Sequence, residues 1–240
     1  MSSSHPVRYS ARSHVGLKRE VNEDAVLALP DAGLWLVSDG MGGHAAGDYA
    51  SRLIVDMVAA MPAGMDPSDR LGALREAIGR AHGLIRSEAE ARGGQTIGAT
   101  VASLLLANGH FVGLWAGDSR IYLLRAGEIR MLTTDHSFVA ALVQSGEMSW
   151  DEAEHHPQSN AITRAVGVGE ELELDKVRGP VQSGDRFLIC SDGLSKYAPF
   201  AVLQKALAEM PIETVADKLI QIALDGGGAD NVTVVVVDIG

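Results

Sequence analysis

Leu34-Trp35-Leu36-Val37-Ser38-Asp39-Gly40 is an apolar run that stops at an acid beside a glycine. The pattern returns where Phe111-Val112-Gly113-Leu114-Trp115 runs into Ala116-Gly117-Asp118-Ser119, and where Phe187-Leu188-Ile189-Cys190 runs into Ser191-Asp192-Gly193. Near the end the order reverses, and Asp230-Asn231 opens Val232-Thr233-Val234-Val235-Val236-Val237. Runs this continuous predict strands buried on both faces, as in the centre of a sandwich or layered sheet.

The segments around these runs supply the turns and helices. Asn108-Gly109 separates Thr100–Ala107 from His110–Trp115, and this pair is the strongest short-range signal for a hairpin. Ala126-Gly127 marks a second hairpin between Ile121–Arg125 and Ile129–Leu132. Tyr49, Leu53, Ile54, Met57, Val58 and Met61 recur at helical spacing. So do Leu71, Leu74, Ile78, Ala81 and Ile85, behind Asp66-Pro67, an N-cap with proline at the first helical position. A third helix fits Val215, Leu219, Ile220, Ala223 and Leu224. Strands and helices come in blocks rather than in strict alternation, which predicts an α+β fold of antiparallel sheets covered by helices. A polar stretch, Gly146 to Asn160, with Glu147, Asp151, Glu152, Glu154, His155, His156 and Pro157, reads as an exposed flap within about 145–165. Repeats and low-complexity linkers are absent from the sequence, and residues 1–240 are expected to form one domain.

Composition narrows the function. Twenty basic against 31 acidic residues leave a net charge of −11, which argues against a nucleic-acid partner and against docking on an anionic membrane. A single cysteine, Cys190, excludes an internal disulfide and fits a reducing compartment. The start, Met1-Ser2-Ser3-Ser4-His5-Pro6, has no signal-peptide character, and the longest apolar runs are too short to cross a bilayer. A cytoplasmic protein is expected.

The acids at the strand ends carry the chemistry. If their strands lie side by side, Asp39, Asp118 and Asp192 converge at one end of the sheets, and Asp230 arrives there from the opposite direction. Taken singly, an Asp-Gly pair is ordinary turn sequence. Four together, each joined to a buried strand, would repel one another at a cost of several kcal/mol unless a divalent cation neutralised them. Oxygen-only ligands beside glycine suit Mg2+ or Mn2+ rather than zinc.

These residues resemble the metal-dependent Ser/Thr protein phosphatases of the PP2C type, in their bacterial stand-alone form. The resemblance runs from about Gly16 to Val236. Arg19-Glu20-Val21-Asn22-Glu23-Asp24, Asp39-Gly40-Met41-Gly42-Gly43-His44, Gly98-Ala99-Thr100, Gly117-Asp118-Ser119-Arg120, Asp135-His136-Ser137, Asn160-Ala161-Ile162-Thr163-Arg164-Ala165, Ser191-Asp192-Gly193-Leu194 and Asp230-Asn231-Val232-Thr233 follow in the family's order. The resemblance implies a four-layer αββα sandwich, two central antiparallel sheets flanked by helices, with a binuclear Mn2+ or Mg2+ site at one end. Asp39 would bridge the two core ions, the Gly40 carbonyl would bind one, and Asp192 and Asp230 the other. Glu23 and Asp24 would hold metal-bound waters, Asp118 with Asp192 would match a third ion site, and Arg19 would grip the substrate phosphate.

On that reading, a water shared by two cations loses its proton near neutral pH and attacks phosphorus in line, while Arg19 and the ions neutralise the equatorial oxygens. The implied activity is hydrolysis of phosphoserine and phosphothreonine on cytoplasmic proteins, by a monomer opposing a Ser/Thr kinase. Met41 stands where many eukaryotic members carry a histidine; His44, three positions on, could instead cap a helix or pack locally, so the general acid stays open between a metal-bound water and a histidine. His136, His155 and His156 read as solvated loop residues and Trp35, Trp115 and Cys190 as core, while Arg120 and Arg164 match family motifs, with a purely structural ion pair as the other reading of each. Two competing functions are a silent phosphoprotein-binding module, disfavoured because the carboxylates and Arg19 are present, and a two-metal phosphodiesterase, which conflicts with the acidic charge.

Overall fold

The computed structural model describes residues 6–42, 45–153 and 155–240. In chain order its elements are β1 (Val7–His14), β2 (Asp24–Leu29), β3 (Leu34–Met41), α1 (Ala45–Ala59), α2 (Pro67–Ala91), β4 (Gly98–Ala99), β5 (Val101–Ala107) and β6 (His110–Ala116). Then follow β7 (Arg120–Arg125), β8 (Glu128–Met131), α3 (Phe138–Gln144), α4 (Trp150–Ala153), β9 (Asp175–Pro180), β10 (Arg186–Cys190), α5 (Asp192–Ser195), α6 (Phe200–Glu209), α7 (Ile212–Asp225) and β11 (Val232–Ile239).

Turn chemistry sets the hairpins. Asn108 and Gly109 both take positive φ, 50° and 71°, the requirement of a two-residue turn that matches strand twist, and β5 pairs with β6 across it. Ala126 and Gly127 do the same between β7 and β8, with φ of 52° and 81°. Asp66 caps α2 by accepting the Ser68 N–H, and Pro67 occupies the first turn.

The strands form two antiparallel sheets, ordered β1-β11-β10-β7-β8 and β2-β3-β5-β6-β9. The long apolar runs belong to strands that bury both faces. From β3, Leu34 and Leu36 pack outward under α1 and α2, while Trp35 and Val37 point inward. From β11, Val234 and Val236 pack outward under α5, α6 and α7, while Val235 and Val237 point inward. The inner faces meet in a third core, where Phe111 of one sheet and Phe187 of the other make an edge-to-face pair with centroids 5.1 Å apart. Helices, sheet, sheet and helices therefore form four layers, as the αββα expectation has it.

The described residues of the polar stretch 146–160 form turns around the short helix α4 and are mostly exposed, except that Ala153 is buried. No helix among the described residues is long and apolar enough to cross a membrane.

Candidate metal and phosphate site

The acids collect at one end of the two sheets because each sits where a strand terminates. Asp39 lies in β3 directly opposite Asp24 at the start of β2. Asp118 occupies the turn between β6 and β7, Asp192 opens α5 straight after β10, and Asp230 precedes β11. Side-chain hydroxyls lock these ends: Thr100 Oγ1 accepts the Asp39 N–H at 3.0 Å and Ser191 donates to Asp24 Oδ2 at 2.8 Å. Two glycines allow the close approach. A Cβ at Gly40 would lie 2.2 Å from the Gly47 carbonyl oxygen, and one at Gly193 would lie 2.0 Å from that of Asn231.

The segment between β1 and β2 closes over this end. Asn231 staples it, accepting the Glu23 N–H at 2.8 Å and donating to the Val15 and Val21 carbonyls at 2.8 and 3.0 Å. Glu23 is thereby set beside Gly40, whose N–H donates to the Glu23 carbonyl. Arg19 reaches Asp230 with two nitrogens at 3.0 Å each while staying half exposed. It also lines, with Glu20, Val21, Glu23, Gly40, Met41 and Gly42, an open cleft of ≈ 270 Å3. His44, a candidate proton donor, lies outside the described residues, as does Glu154 of the flap.

Electrostatics bind the acids into one unit. Burial first, then Asp24, Asp192, Asp118 and Asp230, push the Asp39 carboxyl well above the usual carboxylate range. Asp118 is raised in the same way, by burial and then by Asp192 and Asp135. Asp24 is pushed up to about 7, mainly by burial and against hydrogen bonds from Thr233 and Ser191. Asp24 Oδ1 and Asp192 Oδ1 are buried without a hydrogen-bond partner. Unsatisfied carboxylate oxygens at such depth are costly, and an oxygen-only donor set of this kind fits a hard divalent cation. Among the described residues no three His, Cys, Asp or Glu side chains stand close enough together, as placed, to hold a metal ion.

Two cations offset part of the charge. The hydrogen bonds and charge of Asp230 hold Arg19 more firmly protonated. Lys196, whose Nζ is 2.6 Å from Asp192 Oδ2 and 3.6 Å from Asp230 Oδ2, is the residue that motif reading missed. Burial works to discharge it, but Asp192, Asp230 and Asp118 outweigh burial and raise its pKa. Its i,i+4 spacing from Asp192 was the available signal.

Around the acids, two further groups hold the Asp118 turn. Arg120 forms a buried fork with Asp135, its Nε 3.0 Å from Oδ1 and an Nη 2.6 Å from Oδ2. His136 departs from the expectation of a solvated loop residue. Its ring stacks on Trp115 with centroids 6.1 Å apart, Nδ1 accepts the Gly117 N–H at 3.1 Å, and Nε2 lies 3.3 Å from Asp175. Burial, more than the neighbouring Arg164, lowers its pKa against the pull of Asp175. Arg164 pairs with Glu173 and Asp175, the second of its two readings, and Cys190 is buried, as read from sequence.

Residues 12–224 match the family model described as Protein phosphatase 2C. The chain is 40% identical over 234 residues to the serine/threonine protein phosphatase PstP of Mycobacterium tuberculosis, covering 97% of this chain but 45% of that protein, so it spans about half the relative's length. Its fold superposes with a TM-score of 0.90 on PppA, a key regulatory component of T6SS in Pseudomonas aeruginosa, at 43% identity and 98% coverage of both chains. A structure of the PstP catalytic domain in complex with two manganese ions gives a TM-score of 0.83 at 38% identity, covering 97% of this chain and 98% of that one.

Proposed function

The chain belongs to the protein phosphatase 2C family, and from that premise we propose that it hydrolyses phosphoserine and phosphothreonine on proteins with the help of two Mn2+ or Mg2+ ions. The observation that carries this reading is the partly buried Asp39 carboxyl, pressed by the charges of Asp24, Asp192, Asp118 and Asp230. Such a cluster is tolerable at neutral pH when divalent cations neutralise it.

Asp39, the Gly40 carbonyl, Asp192 and Asp230 would hold the ions, and Glu23 and Asp24 would hold waters around them. When bound, the ions acidify a water and neutralise charge on the phosphoryl oxygens. The chain's own groups prepare the substrate. Arg19, half exposed beside the cleft and within reach of Asp230, is placed to exchange that carboxylate for a phosphate dianion, which a guanidinium binds in the same forked geometry. Asn231 and the Gly40–Glu23 backbone bond fix the loop that carries Arg19, so its reach is set before substrate arrives. The Thr100 hydroxyl, itself bonded to Ser119 at 2.6 Å, holds the backbone of Asp39 and keeps its carboxylate aimed.

A cytoplasmic monomer opposing a Ser/Thr kinase is the setting that fits this activity, supported by similarity to bacterial serine/threonine phosphatases. Turnover of phosphoserine and phosphothreonine peptides with Mn2+, with Mg2+ and with EDTA tests the proposal. Activity with either ion, abolished by EDTA and by Asp39→Asn, is the expected result. Metal-independent turnover, or an inactive wild type that binds phosphopeptide, would overturn it.

A further inference from the structure

Lys196 stands among the acids and has no role in the scheme above. It follows α5, its N–H bonded to the Asp192 carbonyl, so its root is fixed one turn beyond that acid. The side chain is only 18% exposed, and the ammonium reaches Asp192 Oδ2 at 2.6 Å and Asp230 Oδ2 at 3.6 Å.

The two oxygens of Asp192 are thereby divided. Oδ2 is held by the ammonium, while Oδ1 is buried without a hydrogen-bond partner and remains available to an ion. The cavity that Lys196 shares with Asp118 and Asp192 has a volume of ≈ 10 Å3, about the room of one water. Mg2+ and Mn2+ prefer near-octahedral oxygen shells and usually keep several waters. The ammonium occupies the Asp192 oxygen that such an ion would need, and its charge repels a further cation beside Asp118 and Asp192.

We propose that Lys196 is a built-in counter-cation that takes the place of a third divalent ion beside Asp118 and Asp192, so that this chain binds two ions where its acids alone would accept three. The proposal rests on the two-ion reading above and sharpens it. The tethered ammonium supplies its charge at every metal concentration, without a solution ion having to be captured. It also leaves the Asp118 carboxylate without a metal role.

Bound Mn2+ per chain, counted by equilibrium dialysis and elemental analysis, tests this without reference to turnover. Two ions are expected in wild type, and three in Lys196→Ala at sufficient Mn2+. Lys196→Gln, which keeps most of the stem and removes the charge, is expected to gain the same ion and serves if the alanine variant does not fold. Three ions in wild type would overturn the proposal while leaving the phosphatase reading intact. Two ions in wild type and in every folded variant would overturn it as well. No bound ion in wild type would overturn both.

Discussion

At Asp135 a carboxylate forks onto a guanidinium that is almost wholly withdrawn from water. Arg120 and Asp135 are 6% and 4% exposed, and their fork fixes the strand that follows the Asp118 turn. Removing the Asp135 charge takes from the buried Arg120 its forked carboxylate, and breaking a buried pair in this way costs about 3–5 kcal/mol. Asp135→Asn should therefore lower the unfolding free energy by roughly that amount in urea denaturation; a change below about 1 kcal/mol would show the pair to be worth no more than an exposed one. His82 offers a pH test away from the acids. It is buried on α2, its Nδ1 accepts the Gly167 N–H at 2.9 Å, and burial first, then Arg86, lower its pKa below the usual 6.5 against the pull of the Glu170 backbone. The unfolded chain binds this proton more readily, so the stabilisation is present above 6.5 and is lost as pH falls through the lower folded value. Stability in urea should decline over that window, and His82→Gln should flatten the decline; an identical slope in the variant would remove His82 from the account.

At the scale of elements, the described residues of the flap are tied down through α4. The Trp150 ring of α4 lies 4.9 Å from the Arg120 guanidinium, and Asp151 accepts the Phe200 N–H at the start of α6. A cation–π contact of this kind contributes about 0.5–2 kcal/mol, enough to hold a four-residue helix that could not persist alone. Trp150→Ala should speed amide hydrogen exchange across 146–160 and leave α1 and α2 unchanged; unchanged protection in the flap would place its anchor elsewhere. Elements also differ in how far the sequence betrayed them. β3, β6, β10 and β11 were legible because central strands of a four-layer sandwich are apolar on both faces. β1 and β9 were not, since each is an edge strand: Val7–His14 alternates weakly, and Asp175–Pro180 has little apolar content. The acids Asp39, Asp118, Asp192 and Asp230 were legible because each ends or opens an apolar run. Lys196 left one local signal, its i,i+4 spacing from Asp192, whereas the burial of His136 depends on which loops pack together, and local spacing does not record that.

For the whole molecule, the fold is an arrangement for bringing chain-distant carboxylates to one end and keeping them there. Three cores hold the layers, and the acids sit where strands of both sheets terminate. Repulsion among them opposes folding, and bound cations reverse that term: a ligand at 100 times its Kd stabilises by about 2.7 kcal/mol. The most direct test is thermal unfolding of wild type and Asp39→Asn in EDTA and in Mn2+. Mn2+ should raise the wild-type Tm by several degrees, while Asp39→Asn, relieved of a buried charge, should be at least as stable as wild type in EDTA and show little response to Mn2+. A wild type indifferent to Mn2+, or a variant that responds equally, would contradict the claim that these acids are reconciled by bound metal.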